Sequence, residues 1–199
     1  MPWTCVLLLE TDRARLQLRR FNGGACPAKP FGMPCHDARV PFGDAPVVIL
    51  DPEQRTWDVE AEQPAHDDPR WPAACACGYI FIEDDTWQLS HSRIYSRQDT
   101  GAELTLDEAE PGMIWRTWWH EDFWKGPDGH CYTMRLPGDG EWTIDGPSSN
   151  GPGWTRTGEV PRFTVRPSIL SHGSATRKAY HGFLTDGVLS DDLDGNTYP

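Results

Sequence analysis

Glycine or proline interrupts this chain every few residues: 19 glycines and 18 prolines are spread over 199 positions. Each proline removes a backbone donor and each glycine weakens a helix interior, so long helices have little room. Short strands joined by turns fit between the breaks. The expected fold class is mainly β: antiparallel sheets in a small barrel-like sandwich, with short helices and a metal-clasped N-terminal region. Only 38% of the residues are hydrophobic, but ten are tryptophan. A core of few, large side chains suits that composition.

CVLLLE and RLQLRRF read as a first hairpin, with TDRA at 11–14 as its turn. A Gly-, Pro- and Cys-rich loop follows at 22–43, and PVVILD at 46–51 reads as a buried strand. Residues 52–72 are polar and proline-punctuated, as a surface loop is, and one or two strands follow over 77–97. Thr105 with Glu108 has the spacing of a capping box opening a short helix that Pro111-Gly112 ends. Beyond it, WRTWWHEDFW, CYTMRLP, EWTID, RFTVRPSIL, AYHGFLT and GVLS read as short strands. Asp186-Gly187 is the two-residue turn of a hairpin. A soft boundary near residue 100 separates a β-rich region, 1–100, from an antiparallel β domain, 101–199.

The formal net charge is −12, and RARLQLRR at 13–20 is the one modestly basic stretch. Nucleic acid is therefore excluded as the main ligand, because phosphate binding rests on basic contacts. A protein partner suits the charge better. The apolar run Cys5–Leu9 is too short for a signal peptide or a membrane span. A soluble intracellular protein is expected.

Six cysteines in such a compartment point to metal or free thiols before disulfides. Cys26, Cys35 and His36 share one loop, and Cys75 and Cys77 form a Cys-x-Cys-Gly segment. Zinc takes four nitrogen or sulfur ligands, usually from two chain segments. The expected set is Cys26, His36, Cys75 and Cys77, with Cys35 as the substitute for Cys26. No H-E-x-x-H is present, which favours a structural zinc over a catalytic one, and the ligand types alone do not separate zinc from iron. Buried free cysteines are the plainer alternative, and the one expected for Cys5 and Cys131. The aromatic run Trp115, Trp118, Trp119, Phe123 and Trp124 is read as packing. His120 and His130 with Asp122 and Asp128 form a second polar cluster. The Asp-rich tail lacks the Gly and Glu of an EF-hand loop.

GPDGHCYTMRLP, EWTIDGPSSNG, PRFTVRPSIL and YHGFLTDGVLSDDLDG follow one another over residues 126–195. With H-D-A, C-x-CGY-x-F and DTG-x-E-x-TL upstream, they resemble uncharacterised proteins of actinobacterial phages and prophages. The segment from Gly129 onward more distantly resembles a small domain, a suspected peptidase, encoded beside bacterial ubiquitin-like conjugation genes. The matching positions here are MRLP at 134–137, Trp142 with Gly146, PRFTVRPSIL at 161–170, His181 with Phe183, Asp186 and Gly187, and a trailing Asp at Asp194. That domain carries a Cys and a His beside the Asp, where this chain has Gly195 and Asn196.

Read as chemistry, Ser168, His181 and Asp194 (or Asp192) supply a nucleophile, a base and an orienting acid. No G-x-S-x-G elbow accompanies them; a hairpin histidine bonded within the sheet is the plainer reading. Two functions follow. The phage resemblance favours a non-enzymatic, zinc-stabilised accessory protein, virion-associated or acting on a host protein, in the host cytoplasm or the virion. The alternative is a serine-type peptidase or hydrolase acting on a protein tail or isopeptide bond through Ser168 and His181. Convergence of Ser168, His181 and an Asp on an open surface is what separates them.

Overall fold

The computed structural model describes residues 2–24, 36–43, 48–49, 62–138, 140–148, 153–173 and 178–198. The protein is mainly β, and helical structure among the described residues is confined to 3-10 turns such as Leu106–Glu108 and Trp118–His120. The chain forms two compact units, one of Met1–Leu9, Tyr95–Gly173 and Arg177–Pro199, the other of Glu10–Ile94 and Ser174–Thr176. One boundary between the units falls between Ile94 and Tyr95. The first nine residues group with the C-terminal part because of strand pairing.

In chain order the strands are β1 (Trp3–Thr4), β2 (Val6–Asn22), β3 (His36–Pro41), β4 (Val48–Ile49), β5 (Thr86–Arg97), β6 (Glu103–Thr105) and β7 (Met113–Arg116). They continue as β8 (Tyr132–Leu136), β9 (Gly140–Thr143), β10 (Thr155–Glu159), β11 (Arg162–Ser171), β12 (Tyr180–Thr185) and β13 (Val188–Leu189). Both β2 and β5 contribute residues to each unit.

In the first unit an antiparallel sheet has the order β1-β13-β12-β11-β10. Facing it, β7, β8 and β9 form an antiparallel meander, and Val6–Leu8 run parallel to β7. Ile114, Met134, Leu136, Trp142 and Ile144 from this second layer interleave with Phe163, Val165, Ile169, Tyr180, Leu184 and Leu189 from the first. That is sandwich packing: alternate residues of each strand point inward to one shared core. Asp186 and Gly187 both have positive φ, 49° and 70°, the backbone of the tight turn expected between β12 and β13. A Cβ at Gly187 would lie 2.7 Å from the Pro161 carbonyl oxygen, so the turn needs glycine for space as well as for φ. Cys5 and Cys131 are buried as expected, and burial pushes the Cys5 thiol up to about 12.

The second unit is built on Glu10–Asn22 of β2, which pairs antiparallel with β3 through Asn22↔His36 to Gln17↔Pro41, and with β4 at Arg13↔Ile49. Leu16, Leu18, Trp71 and Leu89 form its core.

Three expectations are corrected here. TDRA is not a turn: β2 runs unbroken through it for 17 residues. The segment holds no glycine or proline to bend the chain, Ala14 is fully buried, and the Thr11 hydroxyl donates to the Ile94 carbonyl at 2.7 Å. The 22–43 loop contains strand β3. The aromatic run divides: Trp115 is core at 1% exposure, but the chain leaves the strand at Thr117, and Phe123 stands 79% exposed.

The second polar cluster is likewise redistributed. Arg116 clamps Glu121 through two 2.7 Å bonds, His130 Nδ1 lies 3.2 Å from the same carboxylate, and Asp128 is taken by buried Arg156. Chiefly through the Arg116 bonds, the Glu121 carboxyl is held at about 2, well below 4.5. A depressed carboxylate stabilises the fold above its unfolded value and loses that contribution as pH falls towards the folded one. Arg116 is partly exposed, so screening leaves about 1–2 kcal/mol. Glu121→Gln is expected to flatten the loss of unfolding free energy between about pH 4.5 and pH 2, read from denaturant curves at each pH.

Candidate functional site

Among the described residues, one candidate site stands in each unit. In the second unit, His36 begins β3 and is held by its pairing with Asn22. Cys75 and Cys77 stand on a tight turn. The turn is closed by Gly78 N–H to the Cys75 carbonyl at 2.9 Å and Cys75 N–H to the Tyr79 carbonyl at 2.8 Å, with Gly78 at φ 91°.

His36 Nδ1 lies 3.3 Å from Cys77 Sγ, and the ligand atoms of His36, Cys75 and Cys77 all lie within 4.8 Å of one another. Metal bonds of about 2.3 Å to sulfur and about 2.0–2.1 Å to nitrogen at tetrahedral angles place donors roughly 3.5–3.8 Å apart. The group therefore has the spacing to hold a metal ion. Burial acts to raise the Cys75 thiol, but hydrogen bonds from the Cys77 and Asp37 backbone and the His36 and Cys77 side chains outweigh it and hold it at about 7. Cys26 and Cys35 lie outside the described residues.

The sequence reading missed the support behind these ligands. Tyr79 stacks on the His36 ring at 4.0 Å, and its hydroxyl donates to Asp85, which also accepts from the Asn22 amide and the Ile82 N–H. Arg20 donates to the Pro72 and Ile82 carbonyls, at 3.3 and 2.8 Å, gripping both ends of the turn while its guanidinium lies 3.5 Å from the Trp87 ring centre. Groups of this kind orient ligands. Nothing local in the sequence marks Arg20 in this role, because its carbonyl partners are more than 50 residues away.

In the first unit, Ser168 lies on β11 and His181 on β12. The pairing runs Val165↔Leu184, then Ile169↔Gly182, so Arg166, Pro167 and Ser168 stand opposite Phe183 alone. Such a bulge re-aims the side chains it carries. Ile169 points into the core; Ser168 and Leu170 point outward, and Leu170 pairs directly with His181. The Trp154 indole N–H donates to the Ser168 carbonyl at 3.2 Å, fixing the bulge from behind.

Ser168 Oγ lies 3.3 Å from His181 Nε2, and Asp194 Oδ1 lies 3.5 Å from His181 Nδ1. The serine and the acid thus flank opposite ring nitrogens. Asp192 has another place, bonding to the backbone N–H of His181 at 2.9 Å. Its carboxylate also accepts the Tyr198 hydroxyl and the Asp194 and Asn196 N–H groups at 2.9–3.0 Å. Burial opposes ionisation, yet these bonds keep the Asp192 carboxyl below its ordinary value. Five donors fill this carboxylate, counting the Asn196 side-chain amide at 3.1 Å. Asp192 therefore serves as the knot that ties the C-terminal segment beside β12. The Leu193 N–H donating to the His181 carbonyl at 2.7 Å completes that tie and brings Asp194 to the imidazole.

No family model, curated protein or solved structure matches the chain. Among the described residues, no helix is long and apolar enough to cross a membrane.

Proposed function

We propose that the first unit carries out acyl transfer to water as a serine-type hydrolase, and that the second is held in shape by a structural zinc ion. The hydrolase reading is carried by one observation: His181 has Ser168 at one ring nitrogen and Asp194 at the other, on the outward face of a sheet. With Nδ1–H turned to Asp194, Nε2 is left to accept the Ser168 proton. Oγ then bonds to the substrate carbonyl carbon as Nε2 takes that proton. The proton passes to the leaving group as its bond to the carbonyl carbon breaks, leaving a seryl ester. Water attacks the ester, loses a proton to Nε2, and the acid departs as the proton returns to Oγ. Arg166, two residues before Ser168 at the bulge, is a nearby cation for the transient oxyanion. Covalent labelling of the purified protein by a fluorophosphonate probe tests the reading, with Ser168→Ala and His181→Ala as the comparisons.

The zinc reading rests on donor spacing and on the soft-plus-imidazole donor set of His36, Cys75 and Cys77. In it the ion supplies cross-linking of β3 to the 75–79 turn.

A second reading, that of a phage accessory protein binding a virion or host protein, is favoured by a different observation. Ile80 and Ile82 stand 65% and 56% exposed where the chain leaves the cysteine turn, next to exposed Glu83 and Asp84. An apolar pair rimmed by acids suits a basic, partly apolar protein surface. Substituting both isoleucines by aspartate is expected to leave the melting temperature within a few degrees and to abolish co-sedimentation with the phage particle. Unchanged co-sedimentation would remove these residues from the reading.

A further inference from the structure

The face that presents Ser168 also presents apolar side chains that the core does not use. Leu170 is 50% exposed and Phe183 is 36% exposed. Leu170 is the direct cross-strand partner of His181, which puts their Cβ atoms about 5 Å apart. Phe183 follows His181 by two residues on the same face of β12, about 7 Å along the strand. The two side chains therefore bracket the imidazole, one on each strand. Val188, 40% exposed and paired with Thr185, continues the strip on β13.

Single exposed apolar residues are ordinary on protein surfaces, but a contiguous strip beside a reactive hydroxyl has a ligand-facing geometry. The surrounding charge narrows what fits. Asp186, Asp191 and Asp194 are exposed around the strip, and the guanidinium of Arg166 lies 5.8 Å from the Phe183 ring centre. These carboxylates disfavour an acyl group that carries its own carboxylate.

We infer that Leu170 and Phe183 form the acyl subsite of this centre, and that its substrates are esters or thioesters of uncharged, apolar acyl groups. This rests on the acyl-transfer reading given above. The acyl chain lies along the sheet face over Leu170 and Phe183 while its carbonyl carbon meets Ser168 Oγ, and apolar area leaves water as it binds.

The test is hydrolysis of p-nitrophenyl acetate, butyrate and hexanoate by the full chain. Complete burial of a methylene is worth about fourfold in rate, and on an open face about half of that free energy is retained, so hexanoate, with its four further methylenes, is expected to exceed acetate in kcat/KM by about 15-fold. Phe183→Ser and Leu170→Ser are each expected to reduce that ratio to about twofold. Phe183→Leu, which keeps an apolar side chain, is expected to preserve it; this arm separates apolar contact from a general disturbance of the strand. A wild-type enzyme that hydrolyses all three esters equally overturns the subsite while leaving the Ser168 centre in place. Serine variants that keep the chain-length preference do the same. A folded wild type that hydrolyses none of the esters and takes no fluorophosphonate overturns the acyl-transfer reading, and the subsite with it.

Discussion

Ser168→Ala is expected to abolish fluorophosphonate labelling, and His181→Ala to slow it by about 100-fold or more. A serine hydroxyl at its ordinary acidity is a poor nucleophile, and the phosphonyl probe reads only one that has a base to take its proton. Both variants are expected to keep the fold, because both side chains are on the outward face and neither fills the core. Asp194→Asn should cost less, about tenfold. That carboxylate is 58% exposed and 3.5 Å from Nδ1, so water screens and partly replaces it. The Ser168→Ala/His181→Ala double variant should be no worse than Ser168→Ala alone, since a base without its nucleophile has nothing to activate. Additive losses, or labelling that survives Ser168→Ala, would place the reactive group elsewhere. A well-folded wild type that takes no probe would return His181 to the role of a strand residue bonded to its neighbours.

How much of this was legible in the sequence depended on how far each feature reaches along the chain. The Asp186-Gly187 hairpin was legible because its requirement, two residues with positive φ, is met within the dipeptide itself. The strands β8, β11 and β12 were legible from β-branched and aromatic residues bounded by turn residues. The capping-box spacing marked a real feature, with the Thr105 N–H donating to the Glu108 carboxylate at 2.7 Å. Its helix is a single 3-10 turn, since Pro111 and Gly112 follow too soon for more. What failed was what is decided at a distance. A turn was expected at TDRA, but a polar strand residue is stable wherever distant partners accept its hydrogen bonds, as Ile94 does for Thr11. β10 went unread because TRTGE has almost no apolar residue; it is a strand because β11 offers it an edge, Thr155↔Arg166 to Glu159↔Arg162. The same limit applies to the sites. Residue types nominated Ser168, His181, Cys75 and Cys77, while the bulge that turns Ser168 outward and the Asp192 knot depend on pairing registers that no local pattern encodes.

Removal of the metal is expected to have the larger effect on stability. Apolar packing contributes little to the cysteine turn: among the described residues its cluster holds Cys75 and Phe81 as buried members, with Ala38, Cys77 and Tyr79 partly buried against them. Structural zinc in a small motif contributes on the order of 10 kcal/mol to folding, because the unfolded chain has no preformed site. Purified protein is therefore expected to carry one zinc per chain by elemental analysis, and to lose at least about 10 °C in melting temperature on chelation. His36→Ala and Cys77→Ser should each lose the zinc and reproduce the chelated melting temperature without further effect of chelator. Asp85→Asn should keep the metal and weaken its affinity by about 10- to 100-fold, since it is no ligand itself and acts through Tyr79, which stacks on His36. Cys26→Ser and Cys35→Ser then identify the fourth donor: the one that supplies it should behave as Cys77→Ser does, and the other as wild type. Metal-free protein whose melting temperature ignores chelator would make the cluster two buried side chains and a half-buried one with no ion to bind. The turn would then owe its shape to Arg20, whose bonds to Pro72 and Ile82 hold its two ends. Arg20→Met separates these cases, because a turn held by zinc tolerates that loss and a turn held by Arg20 does not.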